Sequence, residues 1–326
     1  MAFTNKHNID LTMAVFLAHH DYDGINKDNA ISVTTLLRPI KEIILSNRLP
    51  EDSGSIDVSS RIASCLGTAV HNAIEHAWKS NPQELLKQLG QPKAVYETVR
   101  INPPDADDDY FNVFIEQRSQ KEIDGFIING KYDFVVDGVV EDVKTTSTYS
   151  WTNRVNDEKY KLQGSLYRWL NPEIAHEPYM KIHFVFTDWS KLESIKKPKE
   201  YPPLRIMTKQ FTTLSIGDTE NWVRAKLREI KSYWDKPQDA LPVCSPSDLW
   251  QGNPVYKYYK TGNVEGRATR VCDTPAEADR VRRENGGMGI VLPVYGKPKA
   301  CKYCSALQIC NQGQNYVRTG QIDLDD

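Results

Sequence analysis

Residues 130 to 144 read GKYDFVVDGVVEDVK, and three of their side chains, Asp133, Asp142 and Lys144, have types and spacing suited to chemistry on a phosphate. Val135-Val136 and Val139-Val140 are β-branched runs joined by Asp137-Gly138, a two-residue turn that favours positive φ. Pairing Val136 with Val139 sets position 133 against 142, with Cβ atoms about 4.5–5.5 Å apart, where like charges repel. Two carboxylates stay together at that distance if one takes a proton or if a cation sits between them. The cation explains more, because Mg2+ or Mn2+ prefers oxygen ligands and keeps waters and substrate phosphates in the rest of its shell. Lys144, on the face of Asp142, would then orient a water or neutralise charge growing on a phosphate. A surface charge ladder, in which Lys144 and Lys131 pair with the acids, is the alternative. Glu141 is a rival ligand, but the register turns it to the apolar face beside Phe134.

Several elements must position these groups. RIASCLGTAVHNAIEHAWKS has helical spacing, with His71, Glu75 and Trp78 on one stripe. NDEKYKLQGSLYRWLNP reads as a helix ended by Asn171-Pro172, with Gln163 and Tyr167 one turn apart. Residues 94–117 contain strands around the acidic loop PPDADDDY, and IDGFIIN, KYDFVV and VVEDVK read as three successive strands. KIHFVFTDW and LRIMTKQFTTL are two more, and TENWVRAKLREIKSYW is an amphipathic helix. Near the N-terminus, helices are expected around DLTMAVFLAHH and in SVTTLLRPIKEIILSN, with Ser32 as cap and Pro39 as a break. KPQDALPVCSPSD marks a boundary between 1–243 and a cysteine-bearing module at 244–326. In that module Thr274-Pro275-Ala276-Glu277 is a capping box that opens a further helix.

The 326 residues, 40% hydrophobic and 26% charged, have ordinary globular composition, and the net charge of -2 excludes a broadly polycationic surface. A nucleic-acid partner would need a local basic groove. KLESIKKPKEYPPLR, with Lys196, Lys197 and Lys199, and RAKLREIK are the segments that offer one. The run LTMAVFLA is too short to span a bilayer, so no membrane partner and a cytoplasmic location are expected.

The order of GTAVH, GKYDF, EDVKTT and QGSLY resembles the PD-(D/E)XK nucleases, specifically the RecB-like branch that includes CRISPR-associated adaptation nucleases and phage iron-sulfur exonucleases. The resemblance covers residues from about 30 to 170 and the cysteine-bearing tail. It implies an α/β fold, a central mixed sheet flanked by helices, with a small C-terminal metal-bound module. It also implies a bacterial or phage-infected cell and a metal-dependent deoxyribonuclease in recombination, repair or genome processing. His71, Asp133, Asp142 and the Val143 carbonyl would be metal ligands, and Lys144 the catalytic lysine. Gln163 and Tyr167 match the family's Q-x-x-x-Y element, which lies near the active centre and contacts DNA. DNA ends or single strands would be the substrate, and a homo-oligomer or recombination or CRISPR proteins the partners.

Cys301, Cys304 and Cys310 are spaced C-x2-C-x5-C and need a fourth ligand. Three clustered cysteines with one remote suit a 4Fe-4S cluster better than zinc, which more often takes two close pairs. The resemblance points the same way. Cys244, in a Pro-flanked loop, is the expected fourth ligand, with Cys65 and Cys272 assigned to a helix and a strand. Many relatives place the first cluster cysteine near the N-terminus before a proline, where this chain has Arg38-Pro39.

Overall fold

The computed structural model describes residues 2–19, 29–50 and 55–323. It is a mixed α/β structure in two compact units, Met1–Leu37 with Pro50–Lys231, and Arg38–Leu49 with Ser232–Asp326. The division follows Lys231 rather than residue 243, and segment 38–49 joins the C-terminal unit.

In the first unit β1 (Arg100–Ile101), β2 (Asn112–Ile115), β3 (Phe134–Val136), β4 (Val139–Thr146), β5 (Tyr179–Phe186) and β6 (Ile206–Thr212) form one sheet, ordered β6-β5-β4-β3-β2-β1. The sheet is mixed: β1 runs parallel to β2 and β4 to β5, and the other neighbours are antiparallel. Val136 pairs with Val139 and Phe134 with Glu141, around Asp137 and Gly138 at φ 46° and 82°. Continued by one residue, that register sets Asp133 against Asp142.

The strand run before β3 differs from expectation. IDGFIIN is not one strand, because Asp124-Gly125, at φ 50° and 81°, turns the chain between Arg118–Ile123 and Phe126–Lys131. These two strands and Ala30–Ser32 make a separate three-stranded sheet. Lys131 therefore lies opposite Arg118 rather than Lys144, and the chain bends at Tyr132-Asp133 to enter the main sheet.

Two helices cover the main sheet. Ile74 and Trp78 of α1 (Ile62–Ser80) pack on Val113, Ile115, Phe134 and Val143. After the short α2 (Thr148–Asn153), α3 (Asp157–Leu170) buries Tyr160, Gln163, Gly164, Leu166, Tyr167 and Trp169. Gln163 reaches Asp142, the neighbour of Val143 in β4, so alternation puts α1 and α3 on opposite faces. Gly164 permits the close approach: a Cβ there would lie 2.3 Å from Met180 Sδ and 2.9 Å from Met180 Cβ, and Met180 is fully buried in β5.

In the first unit Ser32 accepts from Thr35 N as the expected cap, and in the second Pro39 precedes the helix Ile40–Asn47. The second unit also holds Val255–Tyr259 between Arg270–Cys272 and Ile290–Val294, covered by the helix Pro275–Glu284. Thr274 accepts from Glu277 N at its start, and Tyr258, Cys272, Ala278 and Val281 form its core. Among the described residues no helix is long and apolar enough to cross a membrane.

Gly164→Val should lower stability by about 1–3 kcal/mol through overpacking. Gly67→Ala should raise it by roughly 0.5–1 kcal/mol, because an added Cβ within α1 meets nothing within 4 Å. Urea unfolding midpoints check both, and a Gly164→Val midpoint equal to wild type contradicts the packing given for α3.

Candidate active site

Asp142 is 1% exposed. Lys144 Nζ donates to its Oδ1 at 2.9 Å, and Gln163 Nε2 donates to the same oxygen at 2.8 Å. Oδ2 is also 2.7 Å from Lys144 Nζ, but without hydrogen-bond alignment, so this buried oxygen has an ion-pair neighbour and no hydrogen-bond partner. Burial pushes the Asp142 carboxyl above its usual range, the Lys144 ammonium opposes this, and the Asp133 charge adds to it. Burial disfavours the Lys144 ammonium as well, but Asp142 and Asp133 outweigh that and hold it charged.

Asp133 sits in the bend before β3, and its Oδ2 accepts from Val143 N at 2.9 Å. His71, reaching in from α1, places Nε2 2.5 Å from the same oxygen and Nδ1 3.2 Å from Glu116 Oε1. Lys131 Nζ completes the chain 2.7 Å from Glu116 Oε2. The hydrogen bond to Asp133, with that to Glu116, raises the His71 pKa to about 10 against the opposing effect of burial. Burial acts against the charge on Glu116, but His71 and Lys131 bind it and keep its pKa low. The two acids thus have different partners: Asp133 is held from the α1 side, Asp142 from the α3 side, with Val143 between them.

His71, Glu116 and Asp133 are, among the described residues, the group of potential metal ligands whose atoms lie mutually within 4.8 Å. Asp142 is outside that group, although it and Asp133 are close enough to influence each other's charge. Glu116 was not among the sequence-derived candidates. It follows Ile115 as Asp133 precedes Phe134, and its N–H donates to the Asp133 carbonyl at 2.9 Å. Aligning β2 with β3 would have placed it. Its φ of 55° lies in the left-handed region, at a cost on the order of 1–3 kcal/mol for a non-glycine residue.

The remaining candidates lie elsewhere. Glu75 pairs with Lys79 on α1, not with His71. Glu141 does share the face of Phe134, but it is bound by Lys181 and His183 of β5, each at 2.8 Å. Tyr167 is 4% exposed, edge-on to Tyr132, and so close to Gly130 that a Cβ there would be 2.8 Å from its ring. That is a core contact, so the ring has no surface for DNA to touch. Lys196 and Lys197 are exposed and pair with Glu193 at 3.9 and 3.2 Å. In the second basic segment Arg224 pairs with Glu220 and Asp124, and Lys231 donates to the Asp124 carbonyl, which fixes the turn between Arg118–Ile123 and Phe126–Lys131.

In the second unit Cys244, Cys301, Cys304 and Cys310 all line one cavity of about 40 Å³. Cys65 and Cys272 are buried apart from it in other apolar clusters. Burial, aided by neighbouring charges, pushes the Cys244 thiol up to about 12 and the Cys301 thiol up to about 11. No three of these sulfurs lie within 4.8 Å of one another. A tetrahedral zinc with Zn–S bonds of about 2.3 Å would hold them about 3.8 Å apart.

No family model matches the chain, and no curated protein matches it. Among solved structures it is similar to SSO0001, at 16% identity and a TM-score of 0.42 over 68% of this chain and 87% of that one. It is also similar to a phage-related exonuclease from Haemophilus somnus 129PT, at 17% identity and a TM-score of 0.26. That overlap spans 38% of this chain and 60% of the exonuclease. At TM-scores below 0.5 neither likeness bears on fold or function.

Lys144→Met should cost about 3–5 kcal/mol, because it leaves the sealed Asp142 carboxylate without its cation. Asp142→Asn should cost less, because Lys144 keeps about a third of its side chain exposed (33%) and its ammonium can turn to water. Denaturant titrations in chelator measure both, and the reverse order would show that Lys144, not Asp142, is the sealed charge.

Proposed function

We propose that the first unit is a metal-dependent phosphodiesterase of the PD-(D/E)XK type, acting on DNA as an exonuclease without sequence specificity. The observation that carries this reading is the sealed Asp142 carboxylate, two residues from Lys144, with one oxygen unmatched by any hydrogen bond and the His71–Glu116–Asp133 group on the far side of Val143. DNA as the polymer follows the family resemblance, and the absence of sequence specificity follows the lack of a base-reading motif.

The donor set of carboxylate oxygens and one imidazole fits Mg2+ or Mn2+. Asp133, Asp142 and His71 would hold the ion, His71 as neutral imidazole, with Glu116 a further donor and the Val143 carbonyl alongside. When bound, such an ion polarises a phosphodiester and lowers the pKa of a water. The chain's own groups do the rest. Lys144 places an ammonium where charge grows on the phosphate. Gln163 fixes Asp142 Oδ1 and so leaves Oδ2 as the available ligand atom.

We also infer that the four cysteines hold a 4Fe-4S cluster. Four cysteines on one cavity, three clustered in sequence and one remote, support this over zinc, which more often takes two close pairs, and the role is structural.

Labelled DNA incubated with the wild type should be degraded in Mn2+ and not in chelator, with Asp142→Ala and Lys144→Ala each slower by about 100- to 1,000-fold. Glu116→Gln should raise the Mn2+ concentration for half-maximal rate by about 10- to 100-fold. Equal degradation in every lane identifies a contaminant, and none in any lane leaves a DNA-binding module in place of an enzyme. For the second unit, anaerobically purified protein should be brown, with roughly four irons and four sulfides per chain, lost in Cys244→Ser. Colourless protein with a single zinc would rule the cluster out.

A further inference from the structure

An open pocket of about 360 Å³ in the first unit is lined by Trp151, Thr152, Arg154, Lys199, Glu200 and Lys209. That volume is within the range of small-molecule sites. None of these residues is needed to hold Asp142, Lys144 or His71.

Strand register fixes where the pocket stands. Asp142, Ile182 and Lys209 pair in one row across β4, β5 and β6. The Lys209 backbone is therefore two strand spacings, roughly 9–10 Å, from that of Asp142. In the neighbouring row Lys144 pairs with Phe184, and the Trp151 ring stands edge-on to Phe184 with centroids 5.3 Å apart. Tyr160 of α3 packs on both Phe184 and Phe211, which puts the pocket on the face that carries Asp142 and Lys144.

Two of the three cations, Lys209 and Arg154, are held in place. Asp157, in the first turn of α3, lies 2.6 Å from Lys209 Nζ and 2.9 Å from Arg154 Nε. Lys209 Nζ also sits 5.1 Å from the Phe211 ring centroid and 5.9 Å from that of Trp151. Asp157 and Glu200 balance two of the three cations, so the pocket is matched to one phosphate group rather than to a polyanionic surface. A half-exposed indole beside it offers a face for a base, and such stacking tolerates any base.

We propose that this pocket binds the nucleotide adjoining the scissile phosphate, with its base against Trp151 and its phosphate among Arg154, Lys199 and Lys209. The choice of ligand rests on the phosphodiesterase reading; the binding is testable without it. Fluorescent oligothymidylate is titrated with full-length protein in chelator, with thymidine monophosphate as competitor. Arg154→Gln and Lys199→Gln, both at exposed positions, spare the fold. Each should weaken binding about 5- to 10-fold and reduce the slope of log affinity against log salt by about 0.7, the loss of one single-strand phosphate contact. Lys209→Met should do the same, with its unfolding midpoint as a control.

In Mn2+ the KM for the oligonucleotide should rise by the same factor. The kcat, and the hydrolysis of thymidine 5′-(p-nitrophenyl phosphate), too small to span both places, should not change. Binding and salt slope equal to wild type in both exposed variants would overturn the pocket, even if DNA is cleaved. Weakened binding with no cleavage by any form would leave the pocket standing and remove the hydrolytic reading.

Discussion

Asp142 is sealed from water, and the elements around it make a charge tolerable there. An isolated carboxylate so placed costs several kcal/mol, and a partner must come with good geometry to offset it. Lys144 supplies that partner from the same strand, two residues on, where alternation returns to the same face. Gln163 supplies a second donor from α3, which Gly164 allows to lie against β5. The helix, the strand spacing and the glycine are thus requirements of one carboxylate. What they leave undone is Oδ2, and native proteins seldom leave a buried charged oxygen without a hydrogen bond unless the group has work to do.

Asp133 meets a different solution to the same electrostatic problem. It stands outside regular strand geometry, so its carboxylate can take the Val143 N–H and meet His71 from α1. Glu116 then faces the other nitrogen of the same imidazole, and Lys131 closes the series. Acids and cations alternate along this chain, so each like-charged pair has a group of opposite charge between its members. The left-handed backbone at Glu116 is the cost of bringing that acid to the end of β2, and the His71 and Lys131 contacts are what offset it. The arrangement brings two carboxylates and an imidazole within ligand distance of one another.

The parts of this site that could be read from sequence are those fixed locally. The Asp137-Gly138 turn and period-two alternation set the β3–β4 register, and helical spacing put Gln163 one turn from Tyr167; that Gln163 lies at the active centre is what the family resemblance implies. The same Asp-Gly signal at 124–125 is masked because IDGFIIN has apolar residues on both sides and passes for one strand. Glu116 depends on the pairing of β2 with β3, strands separated by a whole hairpin that belongs to another sheet, and no local period reports such a contact. Tyr167 shows the converse limit: its spacing from Gln163 is plain, but whether its hydroxyphenyl ring faces a ligand or the core depends on Gly130 and Tyr132, which approach from that other sheet. The unit boundary was displaced for a similar reason, since Ile40, Ile43 and Ile44 bury a helical face with residues far along the chain.

The cysteine-lined end of the second unit has its own physical difficulty. From Lys299 to Gln308 the chain makes only two short 3₁₀ turns, which bury little apolar surface and cannot hold a fixed shape alone. Its apolar cluster is small, Leu249, Cys301 and Ile322 with a few half-buried neighbours. Cys310 starts the next helix by accepting from Gly313 N through its sulfur, so one thiol already sets local backbone. Burial keeps the Cys244 and Cys301 thiols neutral well above physiological pH, and a metal must displace those protons to bind. That displacement couples ligand binding to folding: the free energy gained on ligation would order a segment whose own packing is too slight to do so, and electron transfer need play no part in it.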